Sequence, residues 1–510
     1  MRLNKFFFFL LSCAFAGAVF NQQIYELPVW GMLLDLVVVC VLSLALGLLI
    51  SLVPYVRVAL FPLVSAGGFA AAYFYKTFGV SLSYDSLAWL VEANRFEVNS
   101  FLTPSLMGIL GAGIVFGFVQ AWLSGSFDLK NRRLKFGIFV GVLACTVFVY
   151  KGAWIGLKHF KVQKTYEAIS LSRIYPFSVP KAARMYLHEA NEMQKMLNLP
   201  DPATVPCSAL PQEDRPIVTF IIGESVQAYH LGINGYPRET TPRLAKEKNL
   251  LNFGVCRSFG NTTRVSLVGM LTDATIKKRK PRHGSFIKIY NGLGYRTAFY
   301  SKQNKIGRSG QLTDMLISCA QDVQYIHNGG GDFTLLDPLE HAANTVKGGQ
   351  LILLHMSGSH FSYKKHYGDD FRKFVPDAYE NENLAQYHDE VINAYDNTIY
   401  KLDSFLVGVM DKLRDKDAVL IYASDHGDSL GKRGVFLHGT SIQKEQYEVP
   451  LLIWYSDLYA QKHPEIVAGL RSSLGKSVSH DNLYHTILGL GGIQSQLLDP
   501  KLDLTRGKAI

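Results

Sequence analysis

The sequence predicts a five-helix α-helical membrane-spanning region followed by an α/β domain with a largely parallel sheet. Two observations carry this. Of 510 residues 48% are apolar, and the long unbroken apolar runs fall almost entirely before residue 155. From Pro216 on, short apolar runs alternate with helical patterns, as in a parallel sheet covered by helices. The domains are read as 1–157 (membrane-spanning), 158–214 (bridge) and 215–510 (catalytic).

The spans are Phe6 to Phe20, Trp30 to Val53, Val58 to Tyr75, Ser105 to Leu123 and Phe136 to Trp154. A cleavable signal peptide is the alternative for the first, since "MRLNKFFFFLLSCAFAGAVF" has a basic start, an apolar run and small residues. Four further spans favour a retained helix. Arg2, Lys5, Arg57, Lys130, Arg132, Arg133 and Lys135 lie in short loops on one side, which the positive-inside rule makes cytoplasmic. Everything after the fifth span is then extracytoplasmic.

That topology argues against nucleic acid as a partner, despite a net charge of +10 and the run "KKRKPR" at Lys277 to Arg282. Anionic lipid headgroups or an anionic glycan fit the run better, and a solvated face equally well. Cys13, Cys40 and Cys145 fall in the spans; Cys207, Cys256 and Cys319 follow, which excludes a disulfide scaffold. After the spans, helical spacing from Lys158 suggests an amphipathic bridging helix, and "NLPDPATVPCSALPQEDRP" a Pro-rich linker.

Five strands are expected in "PIVTFIIGES", "YRTAFYSKQ", "GQLILLHMSGSH", "DAVLIYASDHG" and "VPLLIWYS". Ligands of open α/β sheets bind beyond the carboxyl ends of strands. The first four strands deliver Glu224, then Gln303 and Lys305, then His360, then Asp425 and His426. Carboxylates, imidazoles and an ammonium meeting at one edge suit a metal and phosphate site. His438 follows among glycines in "SDHGDSLGKRGVFLHG". The stretch "SFGNTTRVSLVGM" offers the hydroxyls of Thr262, Thr263 and Ser266, any of which needs a base or metal to act as a nucleophile.

These residues, with "IIGESVQAYHLGINGYPRETTPRL" and its NGYxRxTTP segment, resemble the membrane-anchored phosphoethanolamine transferases of Gram-negative lipopolysaccharide. The resemblance covers nearly the whole chain. It implies an alkaline phosphatase/sulfatase-like periplasmic domain on a multi-pass inner-membrane anchor. It also implies transfer of phosphoethanolamine from phosphatidylethanolamine to lipopolysaccharide through a covalent enzyme intermediate, with diacylglycerol released first. A zinc ion would be held by Glu224, Thr263, Asp425 and His426. Aligning the family's C-G-T-x-T-x-x-S pattern on Gly260 and Ser266 makes Thr263 the nucleophile.

His360 and His438 match the family's phosphate-contacting histidines, which can also bind a second metal, and Lys305 matches its headgroup lysine more loosely. Glu97, accompanied by Glu92, matches the acidic segment near the donor's amine. Phe259 and Gly269 replace the Cys pair that brackets the nucleophile in lipid A-directed members; Asn261, Arg264, Val268, Trp89 and Ala93 also depart. These departures point to an inner-core sugar such as heptose as acceptor. The alternatives are lipid A, or a phosphatase or other phospho-alcohol transferase of the same superfamily; a sulfatase lacks its CxPxR-like nucleophile here.

Overall fold

The computed structural model describes residues 2–21, 29–79, 102–125, 132–159, 174–196, 198–303, 311–327, 329–345, 348–380, 384–439 and 443–507. The chain forms two compact units, Met1–His188 and Glu189–Ile510.

The first unit is helical: α1 Arg2–Phe20, α2 Val29–Ser51, α3 Pro54–Phe78, α4 Pro104–Ser124 and α5 Arg132–His159. Among the described residues, three helices, Met32–Ser51, Pro54–Phe78 and Pro104–Ser124, are long and apolar enough to cross a membrane. The apolar stretches Asn4–Phe20 and Phe136–Gly152 are shorter. Large apolar side chains point outward, with Trp122 62% and Phe148 80% exposed, as expected where the surrounding solvent is lipid. Glycine lets α4 approach α3 closely: a Cβ on Gly117 would lie 2.4 Å from Pro62 Cα, and one on Gly113 2.7 Å from Ala66 Cα. The start of α4 is fixed by Thr103, whose hydroxyl accepts from Leu106 N at 3.2 Å, and by Pro104 in the first turn. Helix α6, Ser178–Met196, follows, and the division between the units falls within it.

The second unit holds β1 Cys207–Ser208, β2 Ile217–Gly223, β3 Leu250–Arg257, β4 Arg296–Ser301, β5 Asp322–Tyr325, β6 Gln350–His355, β7 Ala418–Ser424, β8 Glu448–Tyr455, β9 Val478–Ser479 and β10 Gln494–Ser495. Eight form one sheet in the order β5-β4-β6-β2-β7-β8-β3-β9. Only β8 runs against the others, antiparallel to both β7 and β3. In the stretch read as a linker, β1 pairs with β10.

Strands β2, β6 and β7 are buried at every residue, which is why they read as continuous apolar runs. Helix α7, Thr263–Leu271, and the helix Leu483–Leu490 supply Leu267, Met270, Ile487 and Leu488 to a core shared with Val218, Phe220 and Ile222. The 26-residue helix α8, His388–Leu413, buries Tyr395, Ile399, Leu402, Phe405 and Leu406.

Candidate active site and metal cluster

Central neighbours β2 and β7 end in register, Gly223 opposite Ser424, so the residues after them emerge side by side. These are Glu224 and Asp425-His426, each 0% exposed. Ser225 takes a positive φ of 61°, turning the chain so that its N–H donates to Asp425 Oδ1 at 3.1 Å and its hydroxyl to Glu224 Oε1 at 2.6 Å. Such a conformation is strained for a non-glycine residue and is held from outside. Tyr395 of α8 donates to Ser225 O at 2.7 Å and accepts from Gln227 N at 2.8 Å.

Thr263 opens α7. Its hydroxyl donates to Glu224 Oε2 at 3.0 Å and lies 3.4 Å from His426 Nε2. That nitrogen is also 3.4 Å from Glu224 Oε1 and 3.3 Å from Asp425 Oδ2. Gln303, past the end of β4, donates to Glu224 Oε2 at 2.7 Å. Thr262 caps α7 in the extended conformation without a side-chain cap bond, and Ser266 Oγ is buried without a hydrogen-bond partner.

Burial would raise the Glu224 carboxyl, but the charges of His426, His360 and His438 outweigh it and hold it down at about 2. Burial, reinforced by the Glu224 carboxylate, pushes Asp425 well above the usual carboxylate range. Two fully buried carboxylates facing each other are costly without a cation between them. Asp425 Oδ2 is buried with no hydrogen-bond partner. Glu224, Asp425 and His426 offer ligand atoms within 4.8 Å of one another. Thr263 adds a hydroxyl oxygen, so the donor set fits a divalent metal of nitrogen and oxygen preference.

A second group, His426, Asp428 and His438, meets the same distance limit. His438 Nδ1 bonds Asp428 Oδ1 at 2.6 Å, Tyr363 OH donates to Asp428 Oδ2 at 2.7 Å, and the rings of His426 and His438 are 3.9 Å apart. With Nδ1 engaged by the Asp428 carboxylate, Nε2 is the ring nitrogen that His438 has left for a ligand. The His360 ring lies 6.3 Å from that of His438.

The structure thus brings Glu224, Thr263, Asp425, His426, His438 and His360 to one sheet edge. Lys305, Glu92 and Glu97 lie outside the described residues. The NGYxRxTTP segment scaffolds the fold: Tyr236 OH and Arg238 Nη1 each reach Asp396 Oδ2 at 2.9 Å, and Thr240 Oγ1 accepts from Gly232 N at 2.9 Å. Phe259 packs on Gly269, where a Cβ would meet Phe259 Cγ at 2.2 Å.

Sequence reasoning missed Ser225, Asp428 and His480. Asp428, three residues after Asp425 in a glycine-bearing loop, had a local signal. His480 had none: its Nδ1 accepts from Phe259 N at 3.1 Å and its Nε2–H donates to Ser424 O at 3.0 Å. It ties the segment that leads into Thr263 to the end of β7.

The Sulfatase family model matches residues 216–493. "Phosphoethanolamine transferase EptA" of Escherichia coli O157:H7 is 26% identical over 84% of this chain and 81% of its own length. "Kdo(2)-lipid A phosphoethanolamine 7''-transferase" of Salmonella typhimurium is 34% identical over 55% of this chain and 52% of its own. The solved integral membrane lipooligosaccharide phosphoethanolamine transferase A of Neisseria meningitidis superposes with a TM-score of 0.81 at 23% identity, covering 98% of this chain and 97% of that one, a likeness of fold. Because the family match spans more than half of the chain, including both carboxylate-bearing strands and the threonine set against them, this chain belongs to the sulfatase family.

Proposed function

We propose that this chain takes phosphoethanolamine from phosphatidylethanolamine onto Thr263 and passes it to a hydroxyl of lipopolysaccharide. The observation that carries the reading is the Thr263 hydroxyl at 3.0 Å from Glu224 and 3.4 Å from His426 within a buried Glu-Asp-His cluster. The names of the relatives supply the transferred group. In the first step Thr263 Oγ bonds to phosphorus as the bond to the diacylglycerol oxygen breaks, and the threonine proton passes to the departing oxygen. In the second, an acceptor hydroxyl oxygen bonds to phosphorus, the Thr263 O–P bond breaks, and the acceptor's proton returns to Thr263.

A zinc ion held by Glu224, Thr263, Asp425 and His426 would lower the threonine's pKa and offset charge on the phosphoryl oxygens. Glu224 Oε2 accepts the Thr263 hydroxyl and orients it. His438, fixed by Asp428, offers Nε2 to hold a proton in transit, and His360 stands beside it for the phosphoryl oxygens. Lys305 would serve the headgroup, and Glu97 with Glu92 the donor's ammonium. The apolar amino-terminal helices serve as five spans of an inner-membrane anchor with the catalytic unit in the periplasm, suiting a donor drawn from the bilayer.

The proposed acceptor is an inner-core sugar such as heptose. Lipid A linked to Kdo is the second reading, favoured by the name of the Salmonella relative.

The test is mass spectrometry of the enzyme trapped with phosphatidylethanolamine and no acceptor. A phosphoethanolamine adduct on the Thr263 peptide is expected; Thr263→Ala should lose both the adduct and diacylglycerol release, and Thr262→Ala should keep both. Transfer by Thr263→Ala without an adduct would overturn the double displacement.

A further inference from the structure

The basic run at Lys277 to Arg282 has no part in the chemistry above, yet it is built onto the nucleophile loop. Helix α7 ends at Leu271, eight residues past Thr263 and roughly 12 Å away. The following loop then folds back. Arg279 donates to Phe259 O, and its guanidinium lies 4.5 Å from the centre of the Phe259 ring, four residues before Thr263.

Two more anchors hold the loop. Ile276 N donates to Asp481 Oδ1 at 2.8 Å, beside His480. Arg282 donates to Asp273 through its backbone N–H at 2.8 Å and its Nε at 3.1 Å. Within the loop, Thr275 and Lys278 close a turn, with Thr275 N to Lys278 O at 2.9 Å and Lys278 N to Thr275 Oγ1 at 3.0 Å.

Lys277 and Lys278 follow one another in that turn, and both are exposed. Among the described residues, no carboxylate pairs with either ammonium, whereas Lys280 has Glu192. Arg279, Arg257 and Lys277 act on Asp481, Lys280 meets Glu192 and Arg282 meets Asp273; with Lys278 that makes six cations to three carboxylates. A freely solvated basic run would move its charges apart; this one is held by three anchors, with Lys277 sharing the Asp481 carboxylate with Arg279 and Arg257 and the cations outnumbering the carboxylates. An anion bound there would relieve the repulsion among them.

Resting on the transferase reading above, we propose that the Lys277–Arg282 loop binds the acceptor, gripping phosphate or carboxylate groups of an anionic glycolipid through Lys277 and Lys278. Arg279 and Arg282 are its struts. The loop acts in the second half of the reaction, when the acceptor hydroxyl must reach phosphorus, and has no part in the first.

The experiment uses the full chain in neutral-detergent micelles with phosphatidylethanolamine and purified lipopolysaccharide, comparing wild type with Lys277→Gln/Lys278→Gln. Both lysines are exposed, so the variant folds. Two screened ion pairs predict a rise in acceptor KM of about fivefold. The kcat, and diacylglycerol release without acceptor, should stay within about twofold of wild type. With lipopolysaccharide that is both dephosphorylated and carboxyl-reduced the wild-type KM should rise to that of the variant. An unchanged acceptor KM would overturn the proposal. So would an equal slowing of acceptor-free diacylglycerol release, which would assign the lysines to lipid headgroups instead. If the wild type releases no diacylglycerol at all, the transferase reading fails and this proposal falls with it.

Discussion

The two units bury opposite things. In the helical unit glycines let α3 and α4 meet beside a core of Phe9, Ile50 and Phe61, and the buried polar contacts among the described residues are few and uncharged or singly charged, such as Asn21 with Asp35 at 2.8 Å and Ser65 with Gln120 at 2.9 Å. In the catalytic unit apolar strands form the interior, and Glu224, Asp425, His426 and Asp428 are all 0% exposed at the ends of β2 and β7. The lesson concerns what each fold spends its rigidity on. Close backbone approach stabilises helices whose surroundings are already apolar, whereas a stiff parallel sheet can hold several charges where water cannot reach them.

The largest effect should come from removing one of those charges. Asp425→Ala deletes a proposed ligand and should abolish retained zinc, measured by elemental analysis of the purified full chain. Wild-type metal content in the variant would break the contrast, because the buried carboxylates would then be serving the fold alone. Next comes His480, which touches no reacting atom. His480→Ala should lower kcat by about 10- to 100-fold, as loss of an outer-shell partner does, with donor KM unchanged; His480→Gln, able to both donate and accept, should recover part of the loss. Equal loss in both variants would reduce His480 to a packing role.

On the helical side, Gly117→Leu would drive a side chain into the α3 backbone at Pro62. Overpacking of this kind costs about 1–3 kcal/mol, read as a lower melting temperature in detergent with zinc content unchanged. The smallest effect is a pH slope in the catalytic unit. Burial pushes His485 down to about 4, below the roughly 6.5 of an unfolded histidine. The unfolded chain therefore binds its proton first as pH falls, so stability is lost between about 6.5 and 4, by at most about 1.4 kcal/mol per pH unit for one such group. His485→Gln should make the fall in melting temperature across that window less steep, with the rest of the slope left to His355, His366 and His480, which burial also lowers.

What the sequence revealed follows from how local each signal is. Strands β2, β6 and β7 were legible as apolar runs, and Glu224, Asp425 and His426 because strand ends are where ligands gather. Strand β3 was missed because its register shifts between Asn252 and Val255 at Gly254, whose φ is +72°. The choice of Thr263 over Thr262 came from resemblance; in the structure it is Thr263 that meets Glu224. Tyr236 and Arg238 stood out as a motif, but nothing local says that both serve Asp396. His480 was out of reach for the same reason: its partners Phe259 and Ser424 are 221 and 56 residues away.

The contact of Phe259 with Gly269 has a consequence for how the enzyme matures. A ring seated on a bare backbone joins the two ends of the segment that carries Thr263 without a covalent link, and all six cysteines are free thiols. Such a clasp closes as soon as the chain folds. It needs no oxidant or disulfide isomerase, and reductants that open a bridge would leave it shut. The placing of Thr263 is thereby uncoupled from the redox state of its surroundings.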